Sequence, residues 1–221
     1  MHDVVDNLVA IEKEIQLKLD KKNVKFDIPK VIAVSKTFSI QSILPLINHG
    51  QIHYGENKVQ EAIDKWQDIK KDFDHIQLHM LGNLQSNKVK FVIPLFDYIH
   101  SLDSLKLATK ISSEQKKFKK NLKIFIQINI GKEEQKNGIN VEDLNSFYSK
   151  CVNDLNLNIV GLMCLPPKNN NSKDYFVEMQ KLKTQINVKE LSMGMSNDYI
   201  DAAISGATYL RVGSKIFGPR D

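Results

Sequence analysis

The chain has 221 residues, 42% of them hydrophobic and 26% charged, the balance of an ordinary globular protein and not of a disordered one. No apolar run reaches the ~18 residues of a membrane helix, and the two cysteines, Cys151 and Cys164, lack metal or redox spacing. The net charge of +5 comes from 29 Lys and only two Arg, Arg211 and Arg220. Base reading and phosphate forks favour Arg, so a nucleic-acid partner is not expected.

The first element is an amphipathic helix. Val4, Leu8, Ile11, Ile15 and Leu19 recur three or four apart, one buried stripe over 4–19. Asp3, Asp6, Glu12 and Glu14 exclude a signal or transit peptide there, and a cytoplasmic location is the default. After Asp27-Ile28-Pro29 the chain alternates. Eight short apolar runs fall at 31–34, 52–54, 76–81, 98–102, 124–130, 159–165, 190–193 and 209–212. Most are rich in Val and Ile and continuously hydrophobic, as strands buried on both faces should be. Helices are expected at 40–48, 59–69, 87–93, 104–119, 141–155, 172–186 and 198–205, with Ser104 as a cap and Gly50 just past an end. The region 166–172 is a polar loop.

Eightfold strand–helix alternation without a linker predicts a single domain over 1–221, an α/β fold of the (β/α)8 barrel type with an added N-terminal helix at 1–27. An open doubly wound sheet would place a glycine-rich turn after the first strand. That turn reads Ser35-Lys36-Thr37-Phe38.

Barrel sites gather at the C-terminal ends of strands. After strand one comes Lys36, an amine whose burial would favour the neutral, nucleophilic form. After strand two, Gly55-Glu56-Asn57 reads first as a turn with capping residues, with an amide reaching the barrel mouth as the alternative. After strand three, Gly82 allows a sharp turn, and His79 within the strand reads as a barrel histidine, not a base. After strand five, Glu133 and Glu134 read as solvent-facing. Cys164 reads as a buried structural thiol. After strand seven, Ser192 to Asp198 is a glycine-containing turn entering a helix, with Ser196 as its N-cap and free backbone N–H groups for an anion. After strand eight come Arg211, Gly213 and Ser214. Loops seven and eight are where barrels commonly hold a phosphate, and strand eight neighbours strand one. A phosphorylated aldehyde would join the two sets, with its carbonyl at Lys36 and its phosphate at Ser196 and Gly213–Ser214. Pyridoxal phosphate is one, and an Arg suits its pyridine nitrogen.

Five stretches carry a resemblance: Val31-Ile32-Ala33-Val34-Ser35-Lys36, Tyr54-Gly55-Glu56-Asn57-Lys58-Val59-Gln60-Glu61, Gly82-Asn83-Leu84-Gln85-Ser86-Asn87-Lys88, Leu191-Ser192-Met193-Gly194-Met195-Ser196, and Arg211-Val212-Gly213-Ser214-Lys215-Ile216-Phe217-Gly218. Together they resemble the pyridoxal phosphate homeostasis protein family; Met80 departs from it, standing where an aromatic is common. The resemblance implies a barrel like the N-terminal domain of bacterial alanine racemases. It implies pyridoxal phosphate on Lys36 as an internal aldimine, with Ser196, Gly213 and Ser214 at the phosphate. Arg211 would face the pyridine nitrogen, and Asn57 and Met163 would line the ring pocket. It also implies a non-catalytic carrier or buffer whose recipients are pyridoxal phosphate-dependent apo-enzymes.

An arginine at the ring nitrogen keeps it unprotonated and weakens the electron sink. Related racemases bring a second base from another domain, which the end at Asp221 leads us not to expect here, and Arg220 is a weak candidate for a substrate clamp. A racemase-like enzyme is the alternative function. The absence of a coiled-coil seam suggests a monomer, and a part for Lys132 or Lys136 in release is left open.

Overall fold

A computed structural model describes residues 3–24, 26–133, 137–167 and 172–219. Helix α1 (Val4–Lys21) opens with Asp3, whose carboxylate accepts from the Val5 N–H at 2.9 Å. Its buried face is Leu8, Ile11, Ile15 and Leu19, the stripe expected from the sequence.

Eight parallel strands follow: β1 (Lys30–Val34), β2 (His53–Glu56), β3 (Gln77–Met80), β4 (Tyr98–Leu102), β5 (Lys123–Ile128), β6 (Ile159–Cys164), β7 (Glu190–Met195) and β8 (Tyr209–Val212). They pair in chain order and close into a barrel through β1 and β8, where Ile32 stands opposite Arg211. The strands are short and buried almost throughout, which is why their sequence shows runs and little alternation.

The outer layer holds α2 (Ile40–His49), α3 (Val59–Trp66), α4 (Ile69–Asp72), α5 (Val89–Leu95), α6 (Leu105–Phe118), α7 (Leu144–Ser149), α8 (Ser172–Gln185), α9 (Tyr199–Ile204) and α10 (Ser214–Phe217). Ser104 caps α6, accepting from the Leu107 N–H, and Gly50 ends α2, both as expected.

Three helices depart from expectation. The helix expected over 59–69 is broken into α3 and α4. Trp66 is anchored on Glu56 of β2, while Lys70 reaches Leu95 and Asp97 beside β4; the helix is interrupted at Gln67 and Asp68 between the two anchors. The helix expected at 87–93 begins as a 3-10 turn, Ser86–Lys88, and runs to Leu95. The helix over 141–155 changes winding twice, from a 3-10 turn through α7 to a π-type turn at Lys150–Asp154, which fits one extra residue into the helix.

Two cores result. The larger lies between strands and helices and includes Ile15, Leu46, Trp66, Ile93, Ile111, Phe176 and Ile216. Each such side chain contributes about 1.5–3 kcal/mol by leaving water. The smaller fills the barrel with Ile32, Tyr98, Phe125, Met163 and Tyr209. Helix α1 packs on α2, α9 and α10, and the Asn7 amide donates to the Ile216 carbonyl at 2.9 Å. The N-terminal helix thus braces the turn after β8. No helix among the described residues is long and apolar enough to cross a membrane.

Candidate functional site

The turn after β1 is built around a strained residue. Thr37 has φ +69°, a conformation that costs a β-branched residue on the order of 1–3 kcal/mol. The Phe38 N–H donates to the Ser35 carbonyl at 3.2 Å, and the Thr37 N–H donates to Glu61. Burial opposes the Glu61 charge, but the Thr37 N–H and Lys65 outweigh it and hold the carboxyl below its ordinary range. Lys36, half-buried, stands between Ser35 and Thr37 on this fixed turn.

Behind the turn sits a buried ion pair. Glu56 is fully buried, and its Oε1 accepts from Ser35 Oγ (2.8 Å), Trp66 Nε1 (2.9 Å) and Lys65 Nζ (3.0 Å). Lys65 also donates to the Ser35 carbonyl at 2.8 Å. The hydroxyl and carbonyl of Ser35 are therefore clamped next to the nucleophile candidate. Glu56 is not the turn or cap residue expected from the sequence: β2 continues through it, and the chain leaves the barrel at Asn57. Gly82 answers a different need from the one expected. A Cβ there would stand 2.1 Å from the Asn57 carbonyl oxygen, so the glycine allows close approach of the loop after β3 to Asn57.

The β7–β8 side uses backbone. The pairing of β7 with β8 shifts register between Ser192 and Met195, and Gly194 has φ +85°, the combination of a bulge. A Cβ at Gly194 would lie 2.4 Å from that of Ala202. The bulge extends β7 two residues beyond its expected end. Helix α9 starts at Tyr199, so Ser196 is not its N-cap. The Asp198 carboxylate instead turns back to accept from the Met195 N–H at 2.7 Å, leaving Ser196 in the turn. After β8, Gly213 precedes α10; its carbonyl takes the Ile216 and Phe217 N–H groups. The first N–H groups of such a turn have no partner within the helix.

Arg211 lies inside the barrel, 5% exposed. Nη1 donates to Ser192 Oγ (2.6 Å) and Nη2 to the Cys164 carbonyl (2.8 Å). Burial works against its charge, while Asp198 favours it. Burial pushes the thiols of Cys164 and Cys151 up to about 12, which favours the protonated, weakly nucleophilic form; Cys164 is buried, as expected.

Lys36, Asn57, Met163, Ser196, Arg211, Gly213 and Ser214 all line one cavity of about 860 Å³ at the C-terminal ends of the strands. The structure thus places on one cavity the seven residues expected around the cofactor. Leu81, Leu165, Pro166, Asp198 and Asp201 line it too.

The sequence profile described as "Alanine racemase, N-terminal domain" matches residues 14–221. A protein of Haemophilus influenzae named "Pyridoxal phosphate homeostasis protein" is 34% identical over 229 residues, covering 99% of this chain and 97% of that protein. The chain belongs to the pyridoxal phosphate homeostasis protein family. A member of that name from Escherichia coli K12 is 33% identical over 230 residues, covering 100% of this chain and 98% of its own. The solved structure of PipY from Synechococcus elongatus with PLP bound superimposes with a TM-score of 0.79 at 32% identity, covering 92% of this chain and 100% of that one. An alanine racemase of Clostridium difficile shares the fold at a TM-score of 0.69 and 15% identity, over 93% of this chain and 56% of its own.

Several residues escaped the sequence reading. Glu56 reads as a turn residue in the sequence, and nothing there singles out Glu61 or Lys65; the signal was a Glu just after a short apolar run. Ser192 falls within the strand expected at 190–193 and is fully buried there, but nothing in the sequence marked its contacts with Arg211 and His100. Glu133, expected to face solvent, is half-buried and its backbone N–H donates to Asn129 Oδ1 at 3.2 Å. Lys132 pairs with Glu142 at 2.8 Å on the surface. Glu134, Lys136 and Arg220 lie outside the described residues.

Proposed function

We propose that this protein holds pyridoxal 5'-phosphate on Lys36 and serves in its homeostasis, as a non-catalytic carrier that yields the cofactor to apo-enzymes. In this reading the chain acts as a single cytoplasmic unit, monomeric, without nucleic-acid or membrane partners. The carrying observation is the single cavity lined by Lys36, Arg211 and the Gly213–Ser214 turn together. An amine, a buried guanidinium and free backbone donors match the three polar ends of the cofactor: aldehyde, ring nitrogen and phosphate. The PLP-bound PipY structure at 32% identity supports the same ligand.

Pyridoxal phosphate supplies an aldehyde that condenses with a primary amine and releases water. Lys36 Nζ is the amine this chain offers, aimed by the clamped Ser35 and the strained Thr37. Gly213, Ser214 and the Ser196 hydroxyl donate to the phosphate. Asn57 and Met163 bound the ring. Arg211 donates to the ring nitrogen and keeps its own proton, so the nitrogen stays unprotonated. That weakens electron withdrawal and supports carrying over carbanion chemistry. The names of the relatives, homeostasis proteins and not racemases, support the same choice.

The test is a near-visible absorption spectrum of the purified protein, then borohydride reduction and peptide mass mapping. One reduced pyridoxyl phosphate adduct on Lys36 is expected. No band after adding the cofactor overturns the reading, and sustained racemisation of an amino acid by the loaded protein overturns the carrier role.

A further inference from the structure

Four polar side chains form an unbroken line through the barrel to Arg211. Ser192 Oγ, which accepts from Arg211, meets His100 Nδ1 at 2.8 Å. His100 Nε2 meets His79 Nδ1 at 2.9 Å, and His79 Nε2 meets His53 Nδ1 at 3.0 Å. Ser192, His100 and His79 have no exposed surface. His53, the first residue of β2, is half-buried at the opposite end of the barrel from the cavity. His79 stacks on Tyr98 (4.1 Å between ring centres) and His100 on Phe125 (4.3 Å), so the rings are fixed. Barrel interiors are ordinarily filled by branched apolar side chains.

A neutral imidazole has one donor and one acceptor, so the line can be ordered in two senses. In one, the Ser192 hydroxyl donates to His100 Nδ1, each Nε2–H donates to the next Nδ1, and His53 Nε2–H points out of the line. Every gap then holds one hydrogen. In the other, Ser192 Oγ receives hydrogens from both Arg211 and His100, and its own hydrogen needs a third partner. Among the described residues Ser192 Oγ has only those two partners, and a guanidinium cannot accept. The first sense is the one the contacts satisfy.

We infer that the line runs in this single sense, with Ser192, His100 and His79 as positioning residues that fix Arg211 beneath the cavity and favour its charge. Each ring turns its lone pair toward Arg211 and its N–H away, so the dipoles add along the line. This counters the burial that works against the guanidinium. Burial, the first cause, and then the Arg211 charge hold His100 well below its ordinary pKa, which keeps the ring neutral. The line does not feed protons to the cavity, because Arg211 does not release one. Only the last link, from Arg211 to a bound ring, rests on the cofactor reading above.

The first arm of the test needs no cofactor. Long-range 15N–1H NMR on the labelled protein, as purified and after cofactor removal, should show the Nε2–H tautomer at His53, His79 and His100. An Nδ1–H tautomer at His100 overturns the inference. The second arm compares Ser192→Ala with Ser192→Thr, which keeps the hydroxyl. Ser192→Ala should blur the resolved Arg211 Nη signals, shift the absorption of bound pyridoxal phosphate and speed its loss about tenfold, the scale of one hydrogen bond to a charged group. Ser192→Thr should restore all three. Unchanged Nη signals in Ser192→Ala overturn the positioning role. Failure of the wild-type protein to bind the cofactor sinks the functional reading and leaves the NMR signals to decide this one.

Discussion

The two sides of the cavity are built differently. Toward β1 and β2, the Lys36 turn rests on buried charge: Glu56 and Lys65 clamp Ser35, and Glu61 holds the strained Thr37. Toward β7 and β8, a bulge at Gly194 and the start of α10 present backbone. The difference follows from what each side must hold. A nucleophile needs one direction, and an ion pair with several hydrogen bonds fixes its neighbours. An anion needs several donors without a bulky countercharge, and backbone N–H groups provide them. Damage to the Glu56–Lys65 clamp should therefore cost stability and covalent attachment together, whereas loss of a single donor on the second side, such as the Ser196 hydroxyl, should cost retention alone.

The largest expected effect tests the nucleophile. Lys36→Ala should abolish the borohydride-stable adduct while leaving circular dichroism unchanged; an equal yield of adduct on another lysine would remove Lys36 from its place. Next comes the clamp. Glu56→Ala leaves Lys65 buried without its main partner and should cost about 3–5 kcal/mol in urea unfolding. A loss under about 1 kcal/mol, the scale of an exposed pair, would mean that buried charge does not distinguish this side.

Acid should destabilise the fold through the histidine line that leads to Arg211. His53 is lowered to about 4, by burial first and then by Lys30 and Lys123, with Asp97 opposing. His79 and His100, packed among Tyr98, Tyr209 and Phe125, move in the same direction. The unfolded chain thus binds protons between pH 6.5 and 4 that the folded chain does not. Stability is complete above pH 6.5 and falls as pH drops toward 4, by about 3 kcal/mol for His53 alone. Urea midpoints at pH 7.5 and 4.5 measure it, and His53→Gln should flatten the slope. An unchanged slope in that variant would exclude His53 as the titrating group.

Smaller effects are expected on the backbone side. Gly194→Ala opposes both the positive φ and the packing of Ala202, and should cost on the order of 1–3 kcal/mol, visible as a lower Tm and weaker retention. Ser196→Ala should weaken retention by about 1 kcal/mol with stability unchanged. Equal retention in wild type and variant would leave the phosphate to backbone alone.

Much of this was readable in advance, for a physical reason. Strands buried on both faces must be apolar at every position, so eight runs such as 31–34 and 159–165 announced themselves. Lys36, Ser196, Arg211 and Gly213 stood out because chemistry-bearing residues ended those runs, where a barrel puts its mouth; Asn57 and Met163 came with the family resemblance. Residues whose meaning comes from a neighbour were opaque. Glu56 resembled a cap because nothing near it in the chain reveals that Ser35, 21 residues earlier, and Lys65, nine later, converge on it. Ser196 resembled an N-cap because the bulge at Gly194, which moves the helix start to Tyr199, depends on pairing with β8.

What the sequence by itself determined is the barrel, its direction and the residues at its rim, since periodicity and strand ends are local properties of the chain. What only the tertiary structure decided is which buried polar groups meet. His53, His79, His100, Ser192 and Arg211 come from five strands of one sheet, and their line exists because closure of the barrel turns five separate side chains inward at matching heights.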